Sequence, residues 1–154
     1  MEYQVRTARI TDAERIVTLL GAVSAARNGG ADVPGGASDL LRQLVDLPHA
    51  VVVVAESGRR IVGAGVLALR PSVQRGGFIG TIDVLVVDPA AGSSDARTAL
   101  VVELLRAARN KGCVAVEAEP PADPAEQTSW TEAGFVELGA RIIRPLAPAG
   151  ARRT

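Results

Sequence analysis

Residues 79–113 constrain this chain more than any other stretch. An apolar run at 82–87 reads as a strand and stops at Asp88-Pro89. A loop of small residues follows, then an apolar helical pattern from near Asp95 to about Asn110. Lys111-Gly112 gives that helix a basic last turn and a glycine stop. Strand, small loop and helix N-terminus in succession gather backbone N–H groups at one point, an arrangement suited to a phosphorylated ligand.

The flanking sequence supplies what such a strand needs as neighbours. Residues 4–8 read as a short strand, and Thr11 with Glu14 three residues later forms a helix-start box. Ile16, Leu19, Leu20 and Val23 then recur at helical spacing to about Arg27. A glycine-rich loop at 28–37 is expected to be mobile, and Ser38 or Asp39 can cap a second helix to about Val45. Strands are predicted at 50–55, at 61–69 with Gly63 and Gly65 inside, and at 79–87, then at 114–118 beyond the long helix. A short helix at 125–133 closes at Gly134, and strands at 135–138 and 141–145 finish the pattern. Antiparallel strands followed by a strand–helix–strand crossover imply an α/β (α+β) fold. Its mixed, mostly antiparallel sheet of about 6–7 strands carries about 4 helices on its two faces. One domain over 1–146 is expected, with a disordered tail at 147–154.

Composition excludes several classes. The 154 residues hold 17 Lys and Arg against 17 Asp and Glu, so neither nucleic acid nor an anionic membrane is expected as a partner. Apolar runs are strand-sized, and the N-terminus has no signal-peptide core. One cysteine, Cys113, excludes an internal disulfide and fits a cytoplasmic setting; Cys113 reads as a buried, inert thiol. With one cysteine and one histidine, His49, no protein-built metal site is expected. No phosphate-binding Walker loop, dinucleotide fingerprint or nucleophile-elbow motif is present.

The element order, read with Ile61-Val62-Gly63, the strand Asp83-Val84-Leu85-Val86-Val87-Asp88-Pro89, Gly112-Cys113 and the segment from Ser129 to Phe135, resembles the GNAT (GCN5-related N-acetyltransferase) superfamily over nearly the whole chain. The resemblance implies acetyl-CoA as co-substrate and a small-molecule or peptide amine as acceptor, without a metal. A homodimer would be usual. In the family the fourth strand and its neighbour splay apart. Main-chain groups around Leu85, Val86 and Val87 would then pair with the pantetheine arm and polarise the thioester carbonyl.

The family's pyrophosphate loop maps onto Gly92, Ser93, Ser94, Asp95, Ala96 and Arg97, with Asp95 and Arg97 where glycine or a small residue is usual. A carboxylate about 4 Å from a phosphate costs roughly 4 kcal/mol at an effective dielectric near 20. That is about a thousandfold in affinity. Three solutions exist. Gly92, Ser93 and Ser94 form the N–H cradle; Arg97 neutralises the phosphates; or Asp95 caps its own helix and fills the anion site. Ser94 and Asp95 also read as ordinary capping residues.

Asp83 stands where many family members carry the glutamate that serves as base, and its shorter side chain favours a water relay. A half-exposed carboxylate paired to an arginine is the other reading. Trp130 falls at the family's common tyrosine position beside the cofactor. Its indole N–H donates a hydrogen bond but delivers no proton near neutral pH, and it reads equally as a packing anchor. Two functions follow: an acyl-CoA-dependent N-acyltransferase working by direct transfer, or a catalytically degenerate protein of the same fold that senses CoA or binds a protein partner.

Overall fold

The computed structural model describes residues 3–28, 33–91, 93–121, 124–139 and 143–146. The chain divides into two compact units, Met1–Ala118 and Glu119–Thr154. The expected tail at 147–154 and residues 29–32 of the glycine-rich loop lie outside the described residues.

The first unit runs β1 (Gln4–Thr7), a 3-10 turn (Ile10–Asp12), α1 (Ala13–Asn28), α2 (Ala37–Asp46), β2 (Ala50–Ser57), β3 (Arg60–Ser72), β4 (Gly77–Val87), a second 3-10 turn (Pro89–Ala91), α3 (Ser93–Asn110) and β5 (Cys113–Ala118). The strands form one sheet in the order β1-β2-β3-β4-β5, antiparallel except for the parallel β4–β5 pair. The fold class is therefore as expected, with five strands rather than 6–7 among the described residues. The second unit contributes α4 (Pro124–Glu132), closed by Gly134 at φ +95°. Its expected strands at 135–138 and 141–145 are not formed at 135–139 or 143–146, and 140–142 lie outside the described residues. Val136, Leu138, Ile143 and Leu146 have the apolar composition of strands, yet all four are exposed. Composition does not substitute for a ladder partner.

Both faces of the sheet are covered. On one, Ile16, Leu19 and Val23 of α1 and Leu41 of α2 pack on Val52, Val54, Ala64, Val66 and Val86. On the other, α3 sits close because β3 is notched. A Cβ on Gly63 would lie 2.9 Å from Leu100 Cδ1, and one on Gly65 2.9 Å from Leu104 Cδ1. Leu100 and Leu104 are one helical turn apart and fully buried, so the two glycines seat α3 across the sheet's central strand. Gly65→Val is expected to cost about 1–3 kcal/mol through overpacking. Urea unfolding checks this, and trimming the partner in Gly65→Val/Leu104→Ala should return less loss than the two single changes added together.

Helix starts differ from expectation in informative ways. The carboxylate that caps the first helical segment is Asp12, whose Oδ2 accepts from the Arg9 N–H at 2.7 Å, rather than the Thr11/Glu14 box. Gly36 holds the N-cap of α2, with no side-chain hydrogen bond, so Ser38 and Asp39 lie inside its first turn. There Asp39 pairs with Arg42 at 2.7 Å. Helix α3 begins at Ser93, two residues earlier than predicted, and ends as expected at Gly112 with φ +83°.

Candidate active site

Two features leave an opening beside the end of β4, where β5 no longer accompanies it. The first is where their ladder ends. Pairing runs from Phe78↔Cys113 to Ile82↔Ala118, whereas β4 continues to Val87. The second is a bulge. Across β3–β4, Leu67 pairs with Ile82 and Val66 with Val84, which leaves Asp83 as the extra residue. A bulge bends and twists its strand, and this one falls one residue past the last β4–β5 pair. Beyond it, Val84 to Val87 pair with β3 alone among the described residues.

The register shows which backbone groups face that opening. The Asp88 N–H donates to Val62 O at 2.8 Å, which makes Val62/Asp88 a bond-exchanging pair. Antiparallel ladders alternate, so the next exchanging pair is Ala64/Val86. Val86 therefore spends its N–H and C=O on β3. Leu85 and Val87 turn theirs the other way, to the side where β5 has run out. Their side chains share the α3 face with their partners Gly65 and Gly63, while Val86 packs into the α1/α2 core.

At the end of β4, the loop is a compact turn. Asp88 Oδ1 accepts from the Ala90 N–H at 2.9 Å, its carbonyl accepts from the Ala91 N–H at 3.0 Å, and its carboxylate pairs with Arg60. Asp88-Pro89 thus both stops the strand and nucleates the 3-10 turn that leads into α3. With α3 starting at Ser93, Asp95 is the third helical residue and is exposed; neither Ser94 nor Asp95 holds the N-cap position. Gly92, which precedes the helix, lies outside the described residues, as do the side chains of Ser93 and Ser94. Ala96 is fully buried against the sheet side, and Arg97 is half-buried one turn in. Tyr3 lies near enough to Asp95 for that carboxylate, after burial, to raise the phenol above its ordinary pKa.

Asp83 is exposed on the bulge. Cys113 is half-buried at the start of β5, and burial raises its thiol pKa, so it carries less thiolate than a free cysteine at neutral pH. That disfavours it as an acyl carrier. In the second unit, the Trp130 and Phe135 rings meet edge to face at 4.5 Å, the packing role considered for Trp130.

Sequence reasoning missed Glu117. It accepts from Thr81 Oγ1 at 2.8 Å and from Arg70 Nη2 at 3.1 Å, joining β3, β4 and β5 one pair before the ladder ends. The signal was available: a carboxylate inside the apolar run 113–118, the same signal that drew attention to Asp83.

No family model matches the chain. Over 58 residues it is 40% identical to a glucosamine 6-phosphate N-acetyltransferase of Trypanosoma brucei brucei, a match covering 37% of this chain and 40% of that enzyme's length. Among solved structures, an integron cassette protein from the Cole Harbour salt-marsh metagenome superposes with a TM-score of 0.79 at 27% identity, covering 94% of this chain and 91% of the other. The glucosamine-6-phosphate N-acetyltransferase of Arabidopsis thaliana superposes with a TM-score of 0.76 at 16% identity, covering 96% of this chain and all of the other. With the bulged β4, the β4–β5 ladder that ends at Ile82↔Ala118 and α3 seated on a notched central strand, the chain has the fold of that N-acetyltransferase.

Proposed function

We propose that this protein is an N-acyltransferase that moves an acetyl group from acetyl-CoA directly to an amine. The observation that carries the reading is the pair of N–H groups of Leu85 and Val87, turned into the opening beyond Ile82↔Ala118. Backbone donors left without a ladder partner are costly unless something accepts from them. An extended amide chain ending in a thioester offers acceptors at strand spacing. Acetyl-CoA supplies the activated acetyl group; the chain's residues hold, orient and handle protons. Leu85 and Val87 bind the donor's arm through their N–H groups, and one of them holds the carbonyl oxygen whose negative charge grows during transfer. Val86 takes no part in this, because its backbone is committed to β3.

For the phosphates, the α3 N-terminus at Ser93, Ser94 and Ala96 offers main-chain N–H groups, and Arg97 offers a cation one turn in. Exposure of Asp95 changes the weight of the objection to that site. In water-like dielectric the same 4 Å repulsion is about 1 kcal/mol rather than 4. Asp95→Gly is therefore expected to tighten CoA by about fivefold; calorimetric titration of the two proteins reads this, and a thousandfold gain would contradict the exposed placement.

In this reading Asp83, exposed on the bulge beside the opening, receives the amine's proton through a water, as its short side chain requires. Trp130 packs on Phe135 and supplies no proton, so the leaving thiolate takes its proton from solvent. The direct test is release of free CoA thiol from acetyl-CoA across a panel of amines, amino sugars and peptide N-termini. Amine-dependent release supports the reading. Micromolar CoA binding with no release from any amine would favour a CoA-sensing protein instead. A cytoplasmic setting and a homodimer belong to the same proposal; the lone Cys113 supports the first, and light scattering reads the second.

A further inference from the structure

The central strand β3 is buried without interruption from Ile61 to Leu67, then turns exposed at Ala68. A small exposed residue in the middle of a five-stranded sheet marks a place where one face has lost its cover. Strand alternation identifies the face. Gly63 and Gly65 look toward α3, and Ala64 and Val66 toward α1 and α2. Ala68 and Arg70 continue the second set. Thr81 pairs with Ala68 across β4, and Glu117 pairs with Thr81 across β5, so both lie on that same face. The side chains bordering Ala68 thus include Arg70, Thr81 and Glu117, tied together by the two hydrogen bonds on Glu117 Oε1. One residue further along, the β4–β5 ladder ends at Ile82↔Ala118 and the bulge at Asp83 begins.

We propose that Glu117 is the positioning residue for the acceptor: it receives the ammonium group of a protonated primary amine lying over Ala68, on the face of the sheet opposite α3. This rests on the acyltransferase reading. Three observations support it. The carboxylate is half-buried, which strengthens its hold on a cation, yet it borders an exposed floor that a ligand can reach. Thr81 fixes its direction from β4, the strand that carries the Leu85 and Val87 donors. Arg70 is more than half exposed, so its ion pair is screened by solvent, and a carboxylate with about four acceptor positions can share its charge with an arriving ammonium. An amine bound there is one residue pair from the apex of the opening. Its nitrogen then meets the thioester from the α1/α2 face while the donor's phosphates sit at α3. The nitrogen then loses its proton by way of Asp83, and the role of Glu117 is confined to binding the amine.

Glu117→Gln keeps the shape and the Thr81 contact but removes the charge. With the best amine of the panel, the KM for amine should rise about tenfold or more. The kcat and the KM for acetyl-CoA should stay within about threefold, which also shows that the variant is folded. Glu117→Asp should recover part of the loss, and Thr81→Val should raise the amine KM by a smaller factor. An unchanged amine KM in Glu117→Gln, with the wild type turning over, overturns this inference alone. A fall in kcat at constant KM overturns it too, because it assigns Glu117 to the chemical step. A wild-type protein that consumes no acetyl-CoA with any amine overturns it together with the reading beneath it.

Discussion

Asp12→Ala is expected to destabilise the first unit by about 3–5 kcal/mol, the largest loss for any single substitution considered. Asp12 is the one charged side chain fully buried among the described residues. Its two oxygens accept from Arg6 at 2.7 and 3.1 Å, from the Arg9 N–H at 2.7 Å and from Arg15 at 2.6 Å. Arg6 carries the network on to Glu56 of β2 at 2.8 Å. One carboxylate therefore ties the edge strand β1, the start of α1 and β2 together. Removing it strands the Arg6 guanidinium, which is mostly buried, without its main counter-charge.

The same group predicts a pH dependence. The Arg6 hydrogen bonds, working against burial and helped by the Arg9 N–H, lower the Asp12 pKa from its ordinary 3.8 to about 2. A carboxylate depressed in the folded state stabilises the fold fully above its unfolded value and loses that contribution as pH falls through its folded value. Asp12 thus contributes on the order of 2 kcal/mol above about pH 4, and the contribution fades toward pH 2. Urea unfolding of wild type and Asp12→Asn at pH 7 and pH 2.5 checks this. The gap between the two proteins should narrow at the lower pH, and a constant gap would refute the assignment.

Asp83→Asn is expected to lower kcat by about 100-fold or more while leaving the affinity for acetyl-CoA within about twofold, if Asp83 relays the amine's proton. The loss should shrink as pH rises and more of the acceptor arrives already deprotonated, a trend that a merely structural role would not produce. Steady-state rates from pH 6 to pH 9.5 measure it. An unchanged kcat at pH 7 would remove Asp83 from the chemistry and leave the opening beside β4 as a site of orientation alone.

How much of this was legible in the sequence differs from residue to residue. The strand–turn–helix unit was legible because Asp88-Pro89 and Lys111-Gly112 are strong punctuation, and both act as their chemistry predicts. The start of α3 was not: Ser93 and Ser94 read as loop or cap residues, yet they form the first turn. That shift moves Asp95 from a cap to an exposed third position, which changes how it bears on a bound phosphate. The bulge at Asp83 was invisible because residues 82–87 form a nearly continuous apolar run in which alternation carries no phase. For the same reason the sequence grouped Leu85, Val86 and Val87 together. Only the register, anchored by the Asp88-to-Val62 hydrogen bond, separates Leu85 and Val87, which face the opening, from Val86, which does not. Residues 135–139 and 143–145 failed in the opposite sense, since a clear strand composition formed no strand among the described residues.

We propose above all that the opening beyond the last β4–β5 pair and the start of α3 hold acetyl-CoA. Calorimetric titration of the intact protein with acetyl-CoA, repeated with CoA, tests it most directly. The account predicts a single site with micromolar affinity for both ligands. No heat of binding at millimolar ligand would contradict it.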